Sequence, residues 1–324
     1  MSLSQMQVFN EYIMPATIET LGQMVDKFNA ASAGSITLTT SGFDGDFLQE
    51  SFFAAIHTAQ RRVDRYAAQS SAAATDLTQL RNSSVKVGGG FGPIRYEPSQ
   101  LTWLNKPTTE GIEVASRNFA EAMLRDQLNT AIAALRAAIV NQGAATTVDI
   151  TAGTNAVITY NTLNDSHALF GDRSGDLVAQ VMTGSMYHKL IGQNLTNARQ
   201  LFLAQGVTVV DILNKAVIVT DAPSLVAAGS PGTDTVLSLA TGAATVFDGG
   251  DVISNIETNN GQQRIETTMQ VDYSFGLGLK GYSWDETNGG KSPTDAELAT
   301  GTNWDKTATD IKHTAGVAAV GDRS

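Results

Sequence analysis

The stretch from Pro107 to Gly143, PTTEGIEVASRNFAEAMLRDQLNTAIAALRAAIVNQG, is the strongest constraint on what this chain can fold into. It has the pattern of one long amphipathic helix. Pro107 precedes the first turn, and Thr108 or Thr109 can cap it. Glu110 and Glu113 put negative charge at the end that the helix macrodipole favours. Ala115, Phe119 and Met123 share a face, and Leu124, Leu128, Ala131, Leu135 and Ile139 continue it at i+3 and i+4 spacing. Alanine fills most other positions and raises the helix propensity, and Gly143 supplies a stop. At 1.5 Å per residue the element spans about 50 Å. With no Gly or Pro between Val114 and Asn141, it predicts a rigid strut. Polar residues interrupt any strict heptad, which favours a helix packed in a domain over a coiled coil.

Composition narrows what surrounds the strut. A chain of 324 residues with 42% hydrophobic content can bury a sizeable core as one large domain or two smaller ones. It has no cysteine, which excludes disulfides and thiolate metal sites and suits a reducing cytoplasm. A net charge of −11 argues against a nucleic-acid binder that relies on overall charge. No apolar run approaches the roughly 20 residues of a membrane span, and the first residues show no signal-peptide pattern.

In chain order, residues 1–30 read as an arm of short helical pieces broken at Pro15, with Ile18, Leu21, Val25 and Phe28 at helical spacing. A short strand is expected at Ile36–Thr40 and a second amphipathic helix at Phe47–Ala59. Gln60–Lys106 reads as a long exposed β-hairpin: QRRVDRYAAQ and SSVKV as strands, a small polar tip between them, GGGFGPIRY as a turn-rich return and Gln100–Leu104 extended. Seven cations against three carboxylates give this hairpin a net charge of +4 and leave −15 on the rest. Beyond the helix, strand material is expected at Thr146–Tyr160, helix or strand-then-helix at Asp176–Leu190, and a hairpin at Val207–Val219. Asp221-Ala-Pro-Ser reads as a turn and Thr235–Phe247 as a strand-rich run. Val252–Thr258 and Gln263–Phe275 alternate well and are joined at Asn259, Asn260 and Gly261, a strong hairpin signal. Thr294 or Asp295 can cap a short helix, and Thr314–Val320 reads as a last strand.

The usual signatures of chemistry do not assemble. Gly276-Leu-Gly-Leu-Lys-Gly281 matches G-x-G-x-x-G after a strand, but no helix of a βαβ unit follows, so packing in a Gly-rich chain explains it better than a dinucleotide site. Gly290-Lys291-Ser292 lacks the first glycine of a P-loop. Gly88-Gly-Gly-Phe-Gly92 has no helix N-terminus behind it to cradle a phosphate. His57, His167, His188 and His313 stand apart from one another and from other ligand types at metal spacing. The carboxylates Asp44, Asp46 and Glu50 lack the full calcium-loop pattern. No catalytic residue, cofactor site or metal site is expected, and an enzyme is disfavoured.

The order of elements, with GDFLQESFFAAI, RRVDRYA, VKVGGGFGPI, AEAMLRDQLNTAIAALRAAI and SPTDAELATGTNWDKTATDIKHTAGV in sequence, resembles the major capsid proteins of tailed bacteriophages with the Hong Kong 97 fold. The resemblance covers nearly the whole chain and implies an α+β fold of a definite plan. Residues 1–45 would form an N-terminal arm, 46–106 a short helix and the E-loop hairpin, and 107–145 the spine helix of a peripheral domain. Residues 146–247 would form an axial domain, 248–275 the long hairpin of the peripheral domain, and 276–324 the return to the axial domain and the C-terminus. The implied function is structural: a subunit that self-assembles, as hexamers and pentamers of one chain, into the icosahedral head shell around double-stranded DNA. Assembly would take place in the host bacterial cytoplasm and the product would be the virion head. Portal, scaffolding and decoration proteins are the implied partners, and DNA is enclosed without sequence-specific binding. An encapsulin-type nanocompartment shell with a protein cargo is the alternative. Opposite charge on overlapping surfaces steers assembly, so Arg61, Arg62, Arg65, Arg81 and Lys86 are the expected intersubunit contacts, and Asn259, Asn260 and Gly261 the expected hairpin tip.

Overall fold

A single helix of 34 residues, α2, runs through the molecule and ties two sheets together. The computed structural model describes residues 3–43, 45–53, 60–66, 68, 71, 74, 76, 79–96, 108–153, 156–201, 215–260 and 263–323. In order, these form α1 (Leu3–Ala31), β1 (Ile36–Gly42), β2 (Phe47–Phe53), β3 (Gln79–Tyr96) and α2 (Thr108–Asn141). Next come β4 (Thr147–Asp149), α3 (Tyr160–Ala168), β5 (Leu177–Met182), α4 (Gly184–Leu201), β6 (Ala216–Val219), β7 (Val226–Ala227) and β8 (Gly232–Ala240). The last are β9 (Ala244–Asn259), β10 (Glu266–Leu279), β11 (Tyr282–Trp284), α5 (Asp295–Leu298), β12 (Trp304–Lys306) and β13 (Gly316–Arg323).

The first sheet is built on the long antiparallel pair β9–β10. β1 joins β9 in parallel, β3 lies antiparallel on the other edge of β10, and β2 pairs with β3. Short β11 and β12 close its base. The second sheet has the order β4-β13-β8-β5-β6, with β7 also paired to β8. The chain changes sheets between Ala240 and Ala244, through Gly242 at φ +67°. Expected as one strand-rich run at Thr235–Phe247, this stretch is two strands belonging to different sheets.

The burial of α2 explains its reach. From Ala131 to Ile139 nearly every side chain is buried, including Ile132, Leu135, Ala134 and Ala138. Small alanines there let both sheets approach the helix closely, so one cluster joins Leu277 and Leu279 of the first sheet to Leu237, Leu239 and Ala318 of the second. Toward the N-terminus the stripe is less covered: Phe119, Leu124 and Leu128 are half-buried. Gly143, at φ +60°, ends the helix as expected. Beside its last turn, Trp284 and Trp304 meet edge to face at 4.9 Å and donate their indole N–H groups to the carbonyls of Gly290 and Leu298.

Several local expectations are corrected. The N-terminal pieces form one helix, α1, with Pro15 inside it. Proline removes one backbone hydrogen bond from a helix. Packing of Leu21, Val25 and Phe28 against the core holds the helical path. The helix expected from Phe47 is the strand β2, because residues 47–53 pair along β3 with period-two register; residues 54–59 lie outside the described residues. QRRVDRYAAQ forms no strand among its described residues. SSVKV and GGGFGPIRY form one continuous 18-residue strand, β3, with no return turn. Among its described residues Thr146–Tyr160 holds only the three-residue β4 before α3, which the sequence reading missed. The expected hairpin at Val207–Val219 and the extended Gln100–Leu104 fall wholly or largely outside the described residues, apart from β6. Residues 276–315 stay largely with the first sheet; only β13 returns to the second. Strand-then-helix at 177–201, the Thr294 capping box, β1 and the last strand match the expectation.

Candidate intersubunit interface

The expected hairpin projects as the β9–β10 pair, with β3 beside it. Alternation along β10 gives this ribbon two faces. Met269, Val271, Tyr273 and Phe275 are buried, whereas Gln270 and Asp272 are exposed. On the buried face, Phe91 of β3 contacts Phe119 of α2 at 6.1 Å and Tyr273 at 5.5 Å. The Tyr273 hydroxyl donates to Asp126 Oδ2 at 2.6 Å. Burial first, and then the Asp126 carboxylate, push the pKa of this phenol well above its usual value. The glycine run of β3 makes that contact possible. A Cβ on Gly89 would lie 2.7 Å from the Tyr273 ring, which crosses the strand there.

On the exposed face lie Gln270, Asp272, Ile253, Asn255 and Glu257. The pairings Asp272 with Ile253, Gln270 with Asn255 and Thr268 with Glu257 put them on one side. Gly90, paired with Asp272, makes room for the Asp272 carboxylate, whose Oδ1 would lie 2.9 Å from a Cβ there and which accepts from Gln270 Nε2. Ile253 is 67% exposed. Nearer the base, Lys86 Nζ donates to Asp251 Oδ2 at 2.5 Å, and that lysine holds the Asp251 carboxyl below its ordinary range.

The five cations expected at an interface divide into two groups. Arg81 bonds Glu286 Oε1 at 3.3 Å, an oxygen that also accepts from Gln49 and Ser83. Lys86 pairs with Asp251, and the neighbouring Arg95 reaches Glu266 at 3.4 Å. These cations therefore have carboxylates within the same chain, and they brace β3 against β9, β10 and the loop after β11. Arg61, Arg62 and Arg65 are exposed and make no ion pair with a described residue. Between them Val63 is 66% exposed and Tyr66 92% exposed. Lys106 lies outside the described residues. The sequence reading weighed only the charges of this segment; the structure adds that the apolar Val63 and Tyr66 are exposed beside them.

At the hairpin tip, Asn259 pairs with Glu266 and closes the ladder; Asn259 and Asn260 are exposed, and Gly261 lies outside the described residues. The other motifs are structural. A Cβ on Gly276 would strike the Phe43 ring at 2.1 Å, and one on Gly278 would meet Ser84 Oγ at 2.5 Å, so this G-x-G-x-x-G run serves close packing. His167 is buried, with Nε2 2.9 Å from Ser238 Oγ; burial and then Lys215 push its pKa down to about 4. Arg173 donates to His313 Nδ1 at 2.9 Å. Among the described residues no three His, Asp or Glu side chains are grouped to hold a metal ion, and no helix is long and apolar enough to cross a membrane.

Residues 5–318 match the model of the family described as major capsid protein 13-like. The chain belongs to the major capsid protein 13-like family. Solved structures give this capsid protein its relatives in fold. The capsid of Ralstonia phage GP4 superposes with a TM-score of 0.52 at 11% identity, covering 90% of this chain and 87% of that one. An acid-stable capsid of Helicobacter pylori bacteriophage KHP30 gives 0.51 at 10% identity, covering 90% and 88%. A structure from Mycobacterium phage Adephagia gives 0.50 at 8%, covering 91% and 89%. At such identities the likeness is one of fold, and it agrees with the Hong Kong 97-type α+β architecture expected from the sequence. No curated protein matches the capsid protein in sequence.

Proposed function

We propose that this chain is the major capsid protein of a tailed bacteriophage, which assembles with copies of itself into the icosahedral head shell enclosing double-stranded DNA. The observation that carries this reading is the family match over residues 5–318, which takes in the strut helix, both sheets and the projecting hairpin. The encapsulin alternative is not favoured, because the matching family is one of major capsid proteins. The protein's place is the virion head.

The architecture suits a shell plate. A long helix buried at one end couples two sheets, so force on the hairpin ribbon is carried into the second sheet. In this reading α1 and β1 form the arm, β2 and β3 lead into and out of the E-loop, and α2 with β9 and β10 makes the peripheral domain. The second sheet with α3 and α4 makes the axial domain, with its boundary at 241–243 where the chain changes sheets. A portal for DNA entry, a scaffolding protein and a decoration protein are the proposed further partners. Many modest contacts, repeated by symmetry, would stabilise such a shell.

Negative-stain microscopy of the purified full chain tests the reading: closed, uniform shells are expected. A chain that stays monomeric at every concentration and salt tried would overturn it.

A further inference from the structure

We propose that Glu286 is a latch that fixes the direction in which the β2–β3 ribbon leaves the first sheet, and that without this carboxylate the ribbon hinges at Val85. The latch itself follows from the fold of one subunit. Its consequence for shells rests on the reading of the chain as a shell subunit.

β3 changes partners at a single residue. From Val85 to Tyr96 it lies along β10, and from Gln79 to Val85 it lies along β2, so Val85 stands opposite Leu277 on one side and Phe47 on the other. Among the described residues, β10 pairs with none of β3 before Val85. Outward of that point the ribbon has two strands, and two strands alone are marginal in water. What reaches the ribbon there is the loop after β11. Glu286 Oε1 accepts from Gln49 Nε2 of β2 at 2.9 Å, and from Ser83 Oγ and Arg81 Nη2 of β3 at 2.9 Å and 3.3 Å. One oxygen thus gathers donors from both strands. Beside it the Ser83 backbone N–H donates to Ser283 Oγ of β11 at 2.9 Å, and Lys291 Nζ lies 3.5 Å from Asp46 Oδ2 just before β2. Their weights differ. The Lys291–Asp46 pair is exposed on both sides and adds little. Ser83 is buried, so its bond to the carboxylate is the strong member, and an unpaired hydroxyl left there is costly.

The loop that presents Glu286 is itself well held. Asp285 Oδ1 accepts from the backbone N–H groups of Thr287 and Asn288 at 2.8 Å and 3.1 Å, and the Asp285 carbonyl accepts from the Gly289 N–H at 2.9 Å. Gly289 lies flat on the Trp284 ring, where a Cβ would come within 2.1 Å. Trp284 belongs to the core that surrounds the buried half of α2. Glu286 therefore ties the direction of the ribbon to the strut helix. In a closed symmetric shell the same contacts must repeat from copy to copy, and a ribbon of fixed direction supplies that.

Hydrogen–deuterium exchange of the unassembled full chain tests the latch. Glu286→Ala is expected to speed amide exchange in residues 47–53 and 79–84 roughly tenfold, with β9 and β10 unchanged. Glu286→Gln keeps an acceptor for Ser83 and Gln49 but loses the charge facing Arg81, so its ribbon should exchange at an intermediate rate. Lys291→Ala should stay near the unaltered chain. Shells of Glu286→Ala are expected to show a wider spread of diameters by electron microscopy. Ribbon exchange in Glu286→Ala equal to that of the unaltered chain overturns the latch. Faster exchange spread evenly over β9, β10 and α2 also overturns it, since Glu286 would then be a general packing residue. Uniform shells from a variant with a released ribbon overturn the consequence for assembly. Failure of the unaltered chain to form shells overturns the shell reading instead, and the exchange result stands apart from it.

Discussion

At the scale of single residues, close approach of backbones and rings decides more than charge does. Gly276 lies under the Phe43 ring, and both are buried. Gly276→Ala forces that ring or the strand to move, and overpacking of this kind costs about 1–3 kcal/mol; the loss is expected as a lower urea midpoint. Asn29 holds the turn from α1 into β1 by donating from Nδ2 to the Leu38 carbonyl at 2.7 Å and accepting the Leu38 N–H at 2.9 Å. His167 gives a pH dependence with a definite sign. Its imidazole is kept neutral in the fold down to about pH 4, whereas the unfolded chain binds the proton near the ordinary value of 6.5. Its neutral contact is therefore fully compatible with the fold above pH 6.5, and stability falls progressively between there and pH 4. Urea unfolding at pH 7 and pH 5 should show the drop, and His167→Gln should reduce it. Neither the ring contact of Gly276 nor the burial of His167 was legible in the sequence, because both depend on partners far away along the chain: Phe43 in one case, Ser238 and Gln180 in the other.

At the scale of elements, α2 was the most legible part and its energetics the least. The 3.6-residue period located the helix within a residue at its start, and Gly143 located its stop. The same period marked Phe119, Leu128 and Leu135 as equivalent, yet Phe119 and Leu128 are half-buried and Leu135 is fully buried. Leu135→Ala is expected to cost about 2–5 kcal/mol, as core truncations do. Phe119→Ala should cost less, and equal losses in thermal unfolding would mean the helix is covered evenly. The glycine run of β3 was read as a bend because Gly lowers strand propensity. It is a strand because Tyr273 fills the space that side chains at Gly89 would take, and β10 supplies the hydrogen bonds. For α1, deletion of residues 1–30 is expected to lower the thermal stability of the subunit as well as the yield of shells, since Leu21, Val25 and Phe28 pack on the core. An unchanged melting temperature in the truncated chain would assign those side chains no part in it.

At the scale of the whole molecule, the total charge of −11 bears on the contents of the shell. DNA is densely negative, so a subunit of this charge is expected to enclose it without condensing it. Isolated subunits are expected to leave free DNA unshifted in a gel at physiological salt; tight, salt-sensitive binding would contradict this. The sequence by itself determined the strut, the long hairpin with its tip at Asn259 and Asn260, the capped turn at Thr294 and the family likeness carried by their order. Each of these rests on local periodicity, caps and turn chemistry, which neighbouring residues fix. Only the tertiary structure decided that β8 and β9 lie in different sheets, that β3 continues through its glycines, and that Arg81 and Lys86 find carboxylates at home while Arg61, Arg62 and Arg65 find none among the described residues. Those outcomes depend on strand partners and ion pairs tens to hundreds of residues apart, for which the local pattern carries no information.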